Sequence, residues 1–429
     1  MQNKKASKKI NERTKLIILV AIILLIAIIV TLVIRNIIIS NNARENEYLA
    51  AGNENSSLIA NNIKKGITIG GITGTLESLD TSDANATPED IEWGKTGYVN
   101  GVKIVGTMLT SNKVSYLKDK NVFFDENKEV KDDLDNIVTV PKGFKVSSES
   151  AVLVEDGIVI EDKKGNQFVW IPAGINGVNI NTTNGTKTIK YARTDFGIQF
   201  GSGITDDPND YSGYYESMPA DERASIEKYS GYYIGRFDAG DSVATAAKRM
   251  RQEEDSASNT VTIKKGDAPY NYVTKSEAIA LAEGMAQKES YDAKTKMTSA
   301  FAWDTAINFI KIKNSDYDLN SEQGNYIDTS FQYTDITTEN LVTKAENDEV
   351  LVPNGQTTAV SNIFDMGGNT FKYTSESYLI DGSVYDLVYR GGTLEASKES
   401  RPSAYRGYTN VNFGGNNEIY GFRITLYIN

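Results

Sequence analysis

The sequence predicts an α+β, loop-rich chain in which a transmembrane helix and short β-hairpin repeats precede one large domain. Three observations carry that expectation. Leu16–Ile34 is a run of nineteen uncharged residues, all apolar except Thr31. Residues 63–107 hold two segments in which β-branched and polar residues alternate and break at glycine. Beyond Val138 the apolar stretches are short, and long loops rich in Asn, Asp, Gly and Thr separate them.

At about 1.5 Å per residue the apolar run spans a hydrocarbon core of about 30 Å. It lacks the polar stripe of a buried soluble helix. Lys4, Lys5, Lys8, Lys9, Arg13 and Lys15 precede it against one acid, Glu12. The positive-inside rule therefore predicts residues 1–15 as a cytoplasmic tail, 16–39 as a single-pass signal anchor in the cell membrane, and the rest as extracellular. A cleavable signal peptide is the alternative, with cleavage near Ala50-Ala51, but its apolar core would be shorter, about 7–15 residues. Residues 40–61, rich in Asn, Ala and Glu, read as a stalk.

The chain carries a net charge of −12 and contains neither cysteine nor histidine. Because the N-terminal tail is basic, the exported part is more acidic still, which excludes nucleic acid as a partner. Disulfides and thiolate or imidazole metal sites are excluded as well. A composition rich in Ile, Asn and Lys suits a bacterial protein, with a monoderm surface as the expected location.

Residues 62–137 form the predicted spacer. Ile63–Thr75 is echoed by Ile91–Thr107, and Asn100-Gly101 supplies the positive φ angles of a type I′ hairpin turn. One hairpin is marginal alone, so these units are expected to stack or to form a homo-oligomer. The second copy resembles the repeats of phage tail fibres and bacterial surface proteins that read GKTxxVNGxKIxGTM, a resemblance that implies a display stem.

Residues 138–429 are expected to form the large domain. Strands are predicted at Val152–Ile160, Gln167–Ile171, Tyr232–Phe237, Val384–Arg390 and Gly421–Tyr427. A helix over Thr274–Gln287 opens with a capping box of Thr274 and Glu277, and a second covers Ser299–Lys311. Trp170 and Trp303 sit in apolar contexts and read as core. Arg236, Arg390 and Arg423 read as loop pins paired with carboxylates.

Several phrases of this domain recur in one order: Gly165–Pro172, Gly231–Gly240, Ala300–Asn308, Asn362–Asn369, Arg390–Thr393 and Gly421–Arg423. Together they resemble the formylglycine-generating-enzyme (sulfatase-modifying-factor) family, which implies a variant of the C-type-lectin-like fold over about residues 150–429. That family's oxidation chemistry depends on cysteines after the Arg-Gly-Gly motif. A chain without cysteine cannot perform it, since Ala396 or Arg401 cannot replace a thiolate. Histidine-dependent iron chemistry in a second branch is barred likewise. The resemblance also implies a calcium site, for which Asp365 and Asn369 are the candidate ligands. Lys372 stands where the family has a carboxylate, which weakens that site.

The loop Thr393–Tyr420 carries Tyr405, Arg406, Tyr408, Asn410, Asn412, Phe413, Asn416, Asn417 and Glu418. Rings and amides of this kind hold sugars and adaptable protein surfaces, although exposed Tyr and Asn also occur in merely solvated loops. The resemblance adds that such domains serve in some bacteria and phages as scaffolds for diversified binding loops before the last strand. The expected function is a non-catalytic, membrane-anchored binding or adhesion protein for a glycan, a cell-wall polymer or a surface protein. A structural subunit of a surface assembly, and an enzyme acting on envelope polysaccharide through carboxylates, are the alternatives.

Overall fold

The computed structural model describes residues 24–40, 59–77, 81–257, 261–410 and 417–429. The chain forms two compact units, 1–107 and 108–429. In the first, residues 24–40 are helical with exposed side chains. Residues 16–23 of the expected anchor, the tail 1–15 and residues 41–58 of the stalk lie outside the described residues. Among the described residues, no helix is long and apolar enough to cross a membrane.

Two antiparallel hairpins follow, Thr68–Ile69 with Ile72–Thr73 and Thr96–Val99 with Val102–Val105. Asn100 and Gly101 turn the second with φ of 50° and 77°. The same backbone hydrogen bonds close both segments. Gly74 N donates to Ile67 O and Gly106 N to Lys95 O, each at 2.8 Å, while Thr75 N reaches Ala60 O and Thr107 N reaches Pro88 O, each at 2.7 Å. Among the described residues of this unit only Ile63 is a buried large apolar side chain.

The larger unit begins at Met108 rather than at Val138. Residues 108–137, assigned from the sequence to the spacer, contribute Val114, Leu117, Phe124 and Val130 to the main core, and Lys128–Lys131 pairs with Ile137–Val140. Apolar side chains spaced through a polar segment were enough to draw it into that core.

A six-stranded antiparallel sheet organises the unit, in the order Ala293–Met297, Ile424–Ile428, Gly231–Gly235, Gln167–Pro172, Val159–Glu161 and Lys145–Val146. The chain's last strand thus fills an interior position, paired on both sides. Helices α1 (Ala220–Tyr229), α2 (Lys275–Glu289) and α3 (Ala300–Ile310) pack against these strands. Helix α2 opens on the expected capping box: Glu277 N donates to Thr274 Oγ1 at 3.3 Å, and Thr274 N donates to Glu277 Oε2 at 2.9 Å. Ser299 caps α3 by accepting from Ala302 N at 3.2 Å. Trp170 and Trp303 are buried in the core.

Among the described residues, two four-stranded sheets bear on the C-terminal loop and its surroundings. One runs Arg406–Thr409, Leu387–Arg390, Phe371–Tyr373, Tyr420–Phe422, its last pair parallel. The other runs Ile204–Thr205, Ser212–Tyr215, Ser377–Ile380, Ser383–Tyr385.

Three strand expectations need correction. Val152–Ile160 is a 3-10 turn at Val154–Asp156 followed by a strand only from Val159. Val384–Arg390 divides into Ser383–Tyr385 and Leu387–Arg390, which join different sheets. Gly421–Tyr427 divides at Arg423, whose guanidinium donates to Gly235 O at 2.6 Å and pairs with Asp238 at 2.6 Å. A buried cation that must reach those partners fixes where the chain passes from one sheet to the next.

One glycine is decisive for the central sheet. Gly231 faces Pro172 in register, and a Cβ there would lie 2.3 Å from Trp170 Cζ2. Gly231→Ala should therefore overpack the core and cost about 1–3 kcal/mol. Urea denaturation is expected to show a lower midpoint at unchanged slope; an unchanged midpoint would show that the indole repacks freely.

Candidate ligand-binding site at the foot of the C-terminal loop

The C-terminal loop rises from a strand held by buried charge. Asp304, on α3, accepts from Thr194 N at 2.9 Å and from Arg406 Nη2 at 2.7 Å, and also from Arg390 Nη2. Glu376 accepts from Arg406 Nε at 2.9 Å and lies 3.7 Å from Arg193. All five side chains are buried. Arg406 is thereby a clamp between α3 and the segment carrying Glu376, and it cannot serve as the loop contact expected from the sequence. Arg390 and Arg423 are pins, as their context suggested, and Arg236 pairs with Glu149 at 2.5 Å.

Tyr405 is also corrected: it is buried, with its ring 6.1 Å from Phe371 and 6.5 Å from Tyr389. The residues Arg406–Thr409 form a strand rather than a loop, because alternating Arg406 and Tyr408 face one aromatic cluster while Tyr405 faces another. Tyr408 is half-buried, stacked on Tyr378 at 3.8 Å, 5.2 Å from Tyr385 and 5.3 Å from Phe200. Phe200 is 55% exposed and Tyr385 half-buried, so the cluster reaches the surface as an aromatic step.

Asn410 is half-buried at the outgoing foot of the loop, whereas Asn417 and Glu418 are exposed at its return. Asn412, Phe413 and Asn416 lie outside the described residues. The return foot is pinned through its backbone: Tyr272 N donates to Asn417 O at 3.1 Å and Asn271 Nδ2 to Glu418 O at 2.8 Å.

The candidate calcium ligands shape turns. Asp365 and Asn369 both adopt φ near +60°, the left-handed region that Asp and Asn tolerate. Asp365 accepts from Gly355 N at 2.8 Å, and Asn369 is engaged with Asn325 and Val352. Burial and the neighbouring Asp238 raise the Asp365 pKa to about 6. The Lys372 ammonium sits beside them, donating to Gly368 O at 2.7 Å and lying 3.3 Å from Asp238. A fixed cation thus occupies this group of oxygens. Among the described residues no group of three or more acids could hold a metal ion.

Sequence reasoning missed Phe200, Tyr378 and Tyr385. Phe200 follows Phe196 and Ile198 in alternation, and nothing in that local pattern separates its exposed ring from the two side chains that pack against the core. Tyr378 and Tyr385 come together with Tyr408 only through hairpin pairing at Tyr378–Tyr385, and local pattern does not reveal that.

The frame is a loop-rich α+β domain, cysteine-free, whose last loop stands on aromatic clusters and a buried ionic clamp. Among solved structures it is similar to CarF, at 11% identity and a TM-score of 0.29, over 51% of this chain and 96% of that one. PvdO from Pseudomonas aeruginosa is likewise similar, at 13% identity and a TM-score of 0.31, over 63% of this chain and 97% of that one. Likeness at these values carries no argument about function. No family model and no curated protein matches the chain.

Glu216 sits at the edge of the ionic cluster, accepting from Ala300 N at 2.7 Å and from Ser375 Oγ. Burial, reinforced by the charge of Glu376, raises its pKa to about 8. The folded state then keeps a proton that an unfolded Glu releases near pH 4.5. The stabilisation from that proton is complete below about pH 4.5 and lost as pH rises to about 8. Glu216→Gln, permanently neutral, should flatten the stability–pH slope across that window in chemical denaturation at several pH values. An unchanged slope would place the Glu216 proton elsewhere.

Proposed function

We propose that the larger unit is a non-catalytic binding domain for a glycan or cell-wall polymer, displayed outside the cell by the anchor, the stalk and the hairpin segments. The observation that carries this reading is the aromatic step of Phe200, Tyr408 and Tyr385, which stands at the foot of a loop rich in Asn. Exposed rings stack on the apolar faces of sugars, and amides bond their hydroxyls. Tyr408 is held rigidly by Tyr378, so little conformational entropy is lost when a ligand settles on it. Catalysis of the formylglycine type is excluded by the absence of cysteine. The chain also lacks histidine, the commonest general base. The buried carboxylates Asp304 and Glu376 are committed to arginines.

A glycan and cell-wall-polymer array probed with residues 59–429 tests the reading. Saturable binding to a subset of glycans is expected, weakened about tenfold or more by the double variant Phe200→Ala, Tyr408→Ala, since ring stacking contributes about 1 kcal/mol per aromatic residue. Binding that survives the double variant would remove the aromatic step from the site. A protein ligand would be the better reading if no glycan binds the folded protein.

A further inference from the structure

A second feature at the same loop speaks to what kind of sugar it takes. Arg401 is half-buried, with its guanidinium 5.5 Å from the Phe371 ring and 5.6 Å from the Tyr405 ring. Its backbone is fixed, since Arg401 N donates to Ser397 O at 3.1 Å and a Cβ on Gly392 would lie 2.1 Å from Arg401 O. Among the described residues its side chain makes no hydrogen bond or ion pair, in contrast to Arg390, Arg406 and Arg423. A guanidinium stacked on two rings is held in orientation, while its N–H groups remain free to donate.

The rings beneath it belong to a buried aromatic cluster, in which the Tyr389 hydroxyl donates to Tyr408 O. Tyr389 lies 5.4 Å from Tyr420 and 6.5 Å from Tyr405. Burial raises the pKa of all three hydroxyls, so each remains protonated at neutral pH. Tyr420 ends the loop that Tyr405 approaches from the other side, so this group stands at the loop's foot.

We propose that Arg401, stacked on the Phe371 and Tyr405 rings, receives one carboxylate or phosphate group carried on a sugar ligand. Guanidinium binds either anion through two parallel N–H bonds. The chain's net charge of −12 repels a polyanion at long range. Local cation and global negative field together select a glycan with isolated anionic groups over a densely charged polymer. This inference rests on the glycan reading above and narrows its ligand.

Calorimetric titration of the full chain in detergent tests it with matched probes: 3′-sialyllactose against lactose for carboxylate, and mannose 6-phosphate against mannose for phosphate. At least one acidic probe should bind about tenfold or more tighter than its neutral partner. Arg401→Met should erase that difference, and Arg401→Lys should retain part of it, because charge survives without the planar fork. The pair showing the preference identifies the anion. Equal binding of acidic and neutral probes, or a preference that survives Arg401→Met, would overturn the inference. If neutral sugars bind, and Phe200→Ala with Tyr408→Ala abolishes that binding while Arg401→Met changes nothing, the inference fails and the glycan reading stands. If no sugar binds, both fail.

Discussion

Asp304 holds two guanidinium groups at once, and the candidate site depends on that contact. Its two oxygens face Arg390 and Arg406, whose strands are neighbours, and its own helix lies beneath them. Placing such charges away from water is expensive, and a buried ion pair is often no more stable than an apolar substitute. Removing one partner is different: it strands a buried charge and costs about 3–5 kcal/mol. The cluster therefore contributes mainly geometry. It leaves one position for Arg406–Thr409, and that position presents Tyr408 to the surface and Tyr405 to the ring cluster behind.

Clamp and rings work together. Tyr214 lies under Arg406, whose guanidinium is 5.4 Å from its ring, and Tyr214 also lies 4.6 Å from Tyr378. The exposed aromatic step is thus the outer edge of a packed stack whose inner edge is ionic. On the other side of the strand, Tyr405, Phe371 and Tyr389 form the floor on which Arg401 rests. One strand separates an apolar stacking surface from a cationic corner. That arrangement suits a ligand with flat apolar faces and a separate polar group.

Much of this frame was legible in the sequence. The capping box at Thr274 and the helix after Ser299 rest on local chemistry, and both formed with boundaries within two residues of expectation. Burial of Trp170 and Trp303 followed from their apolar neighbours. The asparagine-glycine turn at Asn100 is equally local. The errors share a cause. Tyr405 and Arg406 read as exposed because the stretch around them is small and polar, yet their partners Phe371, Asp304 and Glu376 are distant in sequence. A cation destined for a buried carboxylate and one destined for a ligand look identical until the chain is folded. Arg401 and Arg406 are five positions apart and have opposite fates. Residues 108–137 were misplaced for the same reason, since their apolar side chains are sparse and find their core only in the larger unit.

Asp304 holds the strand beneath the C-terminal loop, and amide hydrogen exchange of wild type and Asp304→Asn measures that hold. In the wild type, Arg406–Thr409 should be protected nearly as well as the core strand Gly231–Gly235. In Asp304→Asn, Arg406–Thr409 should exchange about tenfold or more faster, while Gly231–Gly235 keeps most of its protection, as for a local opening. Equal protection of Arg406–Thr409 in the two proteins would mean that the strand's position owes nothing to the buried charges.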